Sequence, residues 1–171
     1  IAASEADAIS ECILYAEKRG NNQGVIKLTS GALKQHDDAR ESEISVENTT
    51  PVSARVVGNQ HIGMAVLARM TSLAKDKART SGVAVVAASG YSSATGALGY
   101  WARGLAKEGL VAIVMSQCPE MVAPHGSYEA IFGTNPIAIG CPSGSGRCRR
   151  RSRAAGSSRS GGAAAPRACS R

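Results

Sequence analysis

The sequence has no Cys-x-x-Cys pair, no Gly-x-Gly-x-x-Gly, no acid in its last 29 residues and no apolar run of membrane-spanning length. Each absence excludes something. The five cysteines, Cys12, Cys118, Cys141, Cys148 and Cys169, are odd in number and far apart, which argues against a disulfide framework and a zinc site. Cys12 and Cys141 are expected as buried thiols. The longest apolar runs, near Val83–Ala88 and Leu110–Met115, are too short to cross a bilayer. The chain opens on Ile1 without a basic-then-apolar leader, so a soluble, cytoplasmic protein is expected.

What is present divides into two parts. Residues 1–142 hold 12 Lys+Arg and 13 Asp+Glu, a net −1, whereas residues 143–171 hold eight Arg and no acid, a net +8. The formal charge of +7 therefore belongs to the tail alone. At 43% apolar residues the chain can bury a core, and 171 residues fit one domain.

The organising stretch runs from Gly82 to Pro142. It reads as an apolar strand (Val83–Ala88), a loop of small residues, an amphipathic helix, a second apolar strand (Leu110–Met115), a long loop and a third strand. The continuous run Val83–Ala88 predicts a strand buried on both faces. Leu98, Trp101, Ala102 and Leu105 recur at helical spacing, and Gly109 ends that helix. Between them lies Ser89-Gly90-Tyr91-Ser92-Ser93-Ala94-Thr95-Gly96, a loop at the carboxyl end of a strand. Loops so placed let a ligand meet backbone N–H groups at a helix start, and they also serve as plain connections. Asn135, before Pro136, offers an amide donor and acceptor to a ligand or simply caps a turn.

The flanking elements are simpler. A helix is expected from Glu5 to Lys18, with Ser4 and Asp7 as a capping box, Ile9, Cys12, Ile13 and Ala16 as the apolar stripe, and Gly20 as the stop. Asn21–Gly24 reads as a turn leading into a short strand or second helix. Residues 34–43 are a charged surface segment, and His36 beside Asp37 and Asp38 belongs to that solvated run rather than to a metal site. Two short strands span Ile44–Val57. The helix that follows runs to about Ser81 and turns Ile62, Val66, Met70 and Leu73 toward a sheet, with His61 in a cap or surface position.

Several stretches, taken together, resemble the malate/L-lactate dehydrogenase family of NAD(P)-dependent 2-hydroxy acid oxidoreductases, a non-Rossmann group that includes ureidoglycolate and sulfolactate dehydrogenases. The most recognisable are Ala123-Pro124-His125-Gly126 and Gly133-Thr134-Asn135-Pro136, with Gly99-Tyr100-Trp101-Ala102 fixing the register. The resemblance implies an α/β, non-Rossmann NAD(P)-binding domain over residues 1–142, incomplete relative to the family. It also implies hydride transfer between NAD or NADP and a small 2-hydroxy acid of the malate or lactate class, and a homodimer.

Residue by residue, the resemblance places cofactor contacts at Ser92, Ser93, Thr95, Gly96, Ser116, Pro124, Gly126, Thr134 and Asn135. Lys27 stands where relatives carry an arginine for the substrate carboxylate, and Asn22-Gln23-Gly24 stands where they carry Ser-His-Gly. Ala94 occupies the place of the catalytic histidine, and a methyl group accepts no proton. The remaining candidates for a proton acceptor are His125 and Tyr91. A catalytically silent cofactor-binding homologue is the alternative reading.

From Ser143 onward only Arg, Ser, Gly, Ala, Cys and Pro occur, and such a segment buries no core and is expected to be disordered. Three readings compete, an RNA-binding arm acting through phosphate contacts, a basic targeting or partner tail, and out-of-frame translation of a GC-rich gene, of which the frame error is preferred.

Overall fold

The computed structural model describes residues 3–33, 37–40, 42–143 and 150–153. Its first helix, α1 (Ala3–Glu17), buries the predicted stripe of Ile9, Cys12, Ile13 and Ala16, and Gly20 takes a left-handed φ of 60° just beyond its end. The helix begins one residue before Ser4, so Ser4 lies inside it and is not the expected N-cap. The turn at Asn21–Gly24 leads into a single helical turn, α2 (Ile26–Thr29). Asp37–Arg40 forms one 3-10 turn, while His36 lies outside the described residues.

Two separate three-stranded sheets follow. In the first, β1 (Ser45–Asn48) pairs antiparallel with β2 (Ser53–Val57), and β2 pairs in parallel with β3 (Val85–Ser89). A parallel neighbour needs a crossover, and α3 (Gly63–Ser81) supplies it. Its opening segment, from Gly63 to Leu67, is buried, and Gly82 closes it in the left-handed region with its N–H on Ala78 O. In the second sheet, β4 (Ala112–Met115) pairs antiparallel with β5 (Ile137–Gly140). The backbone of β6 (Arg150–Arg153) pairs antiparallel with the other edge of β5. That strand falls inside the segment expected to be disordered; an open strand edge needs only backbone groups to pair with, whatever the side chains.

Helix α4 (Leu98–Lys107) packs against β4 and β5. Strand and helix come so close at Gly140 that a Cβ there would strike the Ala102 carbonyl. The core lies where α1, α3 and α4 meet, and is built from Cys12, Ile13, Met64, Leu67, Leu98 and Trp101, with Val114 and Ala138 contributed by the second sheet.

Two burial expectations fail for one reason. Strand β3 is an edge covered by α3 on one face only, so Val85 stays 66% exposed instead of being buried on both faces. Strand β5 alternates, turning Ala138 and Gly140 toward α4 and Ile137 and Ile139 away from it. Cys141 continues the outward set and is exposed, not the buried thiol expected. Cys12 is buried as expected.

Candidate functional site

The loop after β3 is bonded mainly to its own protein. Gly58 N–H donates to Ser89 O at 2.8 Å, and Gln60 N–H to Gly90 O at 2.7 Å. Ser92 N–H donates to His61 O, Gly63 N–H at the start of α3 donates to Ser92 O, and the Ser92 hydroxyl donates to Gln60 O at 2.8 Å. These bonds hold the two loops at the carboxyl ends of β2 and β3 together, with Asn59, Gln60 and Ser93 all at positive φ. Tyr91 presses on both loops: a Cβ at Gly58 would strike the Tyr91 Cβ, and one at Gly63 would crowd its ring at 3.1 Å. His61 does not cap α3; its Nε2 bonds Ser42 O at 2.7 Å.

The start of α4 is sealed in the same way. Ala97 and Leu98 are buried, with Ala97 packed on Tyr15 and Ala16 of α1. Gly96, at φ 72°, approaches α1 so closely that a Cβ would lie 2.6 Å from Cys12 Sγ. A backbone hydrogen bond from Ala97 reaches the Cys12 thiol and lowers its pKa slightly, but burial dominates and pushes the thiol up to about 11. The buried Cys12 thiol thus fills the space beside the start of α4, a placement the sequence does not signal. Ala94 packs against the core, and its carbonyl lies near the start of α3. Close by, Tyr100 donates to Glu11 Oε2 at 2.7 Å; its phenol is pushed well above the ordinary value first by burial and then by that carboxylate.

The open ground lies one strand further on. Met115, Ser116 and Gln117, leaving β4, face Asn135, Pro136 and Ile137, entering β5, across a cleft of about 390 Å³. Its walls are tied together. Ser116 N–H donates to Pro136 O at 3.2 Å, and Cys118 N–H to Asn135 Oδ1 at 3.1 Å. Thr134 Oγ1 bonds Cys118 Sγ at 3.2 Å, and a Cβ at Gly133 would collide with the Cys118 carbonyl. Asn135 holds a left-handed φ of 37°, a conformation that asparagine tolerates better than most residues. Because its carbonyl is engaged by Cys118, its amide nitrogen is the end offered to a ligand. Thr95 reaches this cleft from the first loop: its carbonyl accepts from Trp101 Nε1 at 3.0 Å, and its hydroxyl meets Ser116 Oγ at 3.5 Å, the outer limit of a hydrogen bond.

Of the sequence-derived cofactor residues, the structure brings Thr95, Ser116, Thr134 and Asn135 together. Ser92, Ser93 and Gly96 sit in the stitched first loop. Pro124 and Gly126 belong to an excursion, Met121–Phe132, closed by bonds between Val122 and Phe132, and neither lines the cleft. His125 is exposed on the same excursion. Lys27 lies half-buried on α2 and does not line the cleft either. Sequence reasoning missed Gln117 and Cys118; the available signal was the polar run Ser116-Gln117-Cys118 directly after an apolar strand. Among the described residues no group of His, Cys, Asp and Glu could hold a metal ion, and no helix is long and apolar enough to cross a membrane.

Comparison with known proteins matches the malate/L-lactate dehydrogenase family over residues 1–148. The NAD(+)-dependent ureidoglycolate dehydrogenase of Escherichia coli O157:H7 is 33% identical over 142 residues, covering 80% of this chain and 40% of its own. The malate dehydrogenase of Pyrococcus abyssi is 32% identical over 146 residues, covering 81% of this chain and 39% of its own. Among solved structures, malate dehydrogenase from Pyrococcus horikoshii superposes with a TM-score of 0.77 at 30% identity, over 90% of this chain and 44% of that one. The chain therefore spans about 40% of the length of the curated relatives it matches.

Proposed function

Because the chain belongs to the malate/L-lactate dehydrogenase family, we propose that it forms the nicotinamide-holding part of an oxidoreductase acting on a small 2-hydroxy acid, of the malate or lactate class. The observation that carries this reading is the cleft between β4 and β5, where Asn135 has its carbonyl fixed and its amide donor available. The lining suits a neutral, planar carboxamide: the Asn135 amide nitrogen as donor, the Ser116 oxygen as acceptor because its own proton goes to Gln117 O at 3.3 Å, and apolar walls from Met115 and Ile137. At about 390 Å³ the cleft takes one ring of a dinucleotide, not the whole molecule. When bound, a nicotinamide ring accepts or returns hydride at its C4.

The residues of this chain then have limited tasks. Asn135 and Ser116 orient the ring amide, and Pro136 and Gly133 hold that loop stiff. Lys27 is the candidate partner of the substrate carboxylate, as a point charge without the bidentate fork of arginine. Proton transfer has no group at Ala94, whose side chain packs against the core, so this chain is expected to bind cofactor far better than it turns over. NAD and NADP remain equal as carriers. A cytoplasmic location and a homodimer complete the reading, the second tested by sedimentation. The comparisons lend no support to RNA binding through the tail.

The test is a fluorescence titration of the folded chain with NADH and with NADPH, followed by assay of hydride transfer to a panel of 2-oxo acids. Saturable binding, with slow transfer or none, is expected. A folded chain that binds neither carrier overturns the reading.

A further inference from the structure

The short run that joins the stitched first loop to α4 has few main-chain ties. Among the described residues no backbone–backbone hydrogen bond reaches residues 93–96. A backbone group without such a partner is held by side chains or by water. Here the hold comes from the core. Trp101, the single tryptophan of the chain, is buried among α1, α3 and α4, and its Nε1 donates to Thr95 O at 3.0 Å. Tyr100 stands edge-on to the indole at 4.8 Å between ring centroids, and is itself bonded to Glu11. The indole is therefore the fixed partner, and Thr95 follows it.

What the indole fixes at one end of Thr95 is felt at the other. The Thr95 hydroxyl donates to Ser116 Oγ at 3.5 Å, and Ser116 Oγ donates to Gln117 O at 3.3 Å. Both bonds are long, so their weight lies in direction rather than in stability. A serine oxygen that receives one proton and gives its own away meets a third partner only as an acceptor. Asn135 is set the opposite way, because its carbonyl receives Cys118 N–H and its amide nitrogen stays free to donate. One donor and one acceptor on facing walls are the complement of a primary carboxamide. A methyl ketone of the same shape satisfies only the donor.

We propose that Trp101 and Thr95 are positioning residues which, without touching the ligand, set the Ser116 oxygen as an acceptor and so make the cleft select a carboxamide over the corresponding methyl ketone. The inference rests on the proposed nicotinamide reading of the cleft.

Calorimetric titration of the folded chain with NADH, and with its acetylpyridine analogue in which a methyl group replaces the amide NH2, reads the selection as a ratio of affinities. The parent chain should bind NADH about fivefold more tightly, the worth of one neutral hydrogen bond. Ser116→Ala should bring the two affinities together. Thr95→Val keeps the main-chain carbonyl for Trp101 and loses only the hydroxyl, so it should lower the ratio by about half or more, while Thr95→Ser keeps it. Because the chain has one tryptophan, supplying benzothienylalanine in its place removes the indole N–H at this position alone and preserves its shape. That replacement should leave the circular dichroism unchanged and lower the ratio as Thr95→Val does. A ratio that neither change moves overturns the proposal. So does a loss of both affinities together, which marks a merely structural role. A parent chain that binds both dinucleotides equally overturns the proposal and leaves the nicotinamide reading standing. A folded parent that binds neither overturns that reading and this inference with it.

Discussion

Two loops leave the edge strands β3 and β4, and their polar groups have opposite fates. In the loop from Gly90 to Ala97 they bond inward, to Gln60, His61 and the start of α3, and the thiol of Cys12 from α1 packs against Gly96 at its end. In the pair of segments around Ser116 and Asn135 a few bonds fix the backbone and leave an amide and a hydroxyl facing a cleft. Small residues at the carboxyl end of a strand permit a ligand to approach, but they equally permit another helix to approach, and here α1 has taken that place. The comparison teaches that composition identifies where the backbone is accessible and leaves open to what.

The sharpest way to break the comparison is to fill the space α1 uses. Gly96→Val places methyls on Cys12 Sγ and Met64 and forces a branched residue to φ 72°. The combined overpacking and left-handed strain should cost about 3–5 kcal/mol in denaturant unfolding. Gly126→Val is the control from the other region. Its φ of 81° carries the same backbone strain, but nothing lies within 4 Å of its Cβ. A loss of only about 1–2 kcal/mol is expected there. Equal losses would show that Gly96 is needed for its dihedral alone.

The buried thiol gives the next effect. Burial raises Cys12 from 9.0 to about 11, so the folded state keeps its proton over a range where the unfolded chain has lost it. The resulting stability is present in full below pH 9 and is lost as pH rises toward 11, by roughly 3 kcal/mol. Tyr100, raised in the same direction, adds to the loss at still higher pH. Melting temperature followed from pH 8 upward should fall steeply in the parent chain and less steeply in Cys12→Ala, which starts from a lower value because it leaves a cavity in the core.

Much of this was legible because it depends on local repetition. The stripe Ile9-Cys12-Ile13-Ala16, the two short strands within Ile44–Val57 and the order strand, loop, helix, strand, long loop, strand all follow from spacing and turn chemistry, and the structure has them. The site was legible only in part. Asn135 and Ser116 emerged from resemblance to a family, and the structure adds that Asn135 is anchored through Cys118. What spacing cannot give is partnership between distant segments. Nothing local says that β3 and β4 belong to different sheets, or that Cys12 will meet Ala97. Nor does an apolar strand reveal whether the cover for its second face lies in the same chain, so Val85 and Cys141 were read as buried and are exposed.

A smaller effect tests how the second loop holds its shape. Gly133→Ala would push a methyl onto the Cys118 carbonyl, backbone that cannot rotate away. The excursion beyond it is exposed, so the fold should lose only about 1 kcal/mol, while the walls of the cleft separate. Affinity for NADH should fall about tenfold, equivalent to about 1.4 kcal/mol. The same substitution at Gly104 on α4, where nothing lies within 4 Å of a Cβ, should leave affinity unchanged.

The smallest expected effect on stability is the most informative about the cleft. Asn135 does two things at once: its carbonyl receives Cys118 N–H, and its amide nitrogen faces the ligand space. Asn135→Asp keeps the first, with a carboxylate that accepts the same N–H more strongly, and tolerates a φ of 37° nearly as well. It removes the second, because an ionised carboxylate donates nothing. Unfolding free energy should therefore stay within about 0.5 kcal/mol of the parent, while affinity for NADH falls by tenfold or more. Asn135→Ala removes both functions and should lose the affinity together with about 1 kcal/mol of stability, as Cys118 N–H goes without its acceptor. If Asn135→Asp binds NADH as well as the parent, Asn135 is a turn-former before Pro136 and nothing more, and the two loops do not differ in the way their geometry suggests.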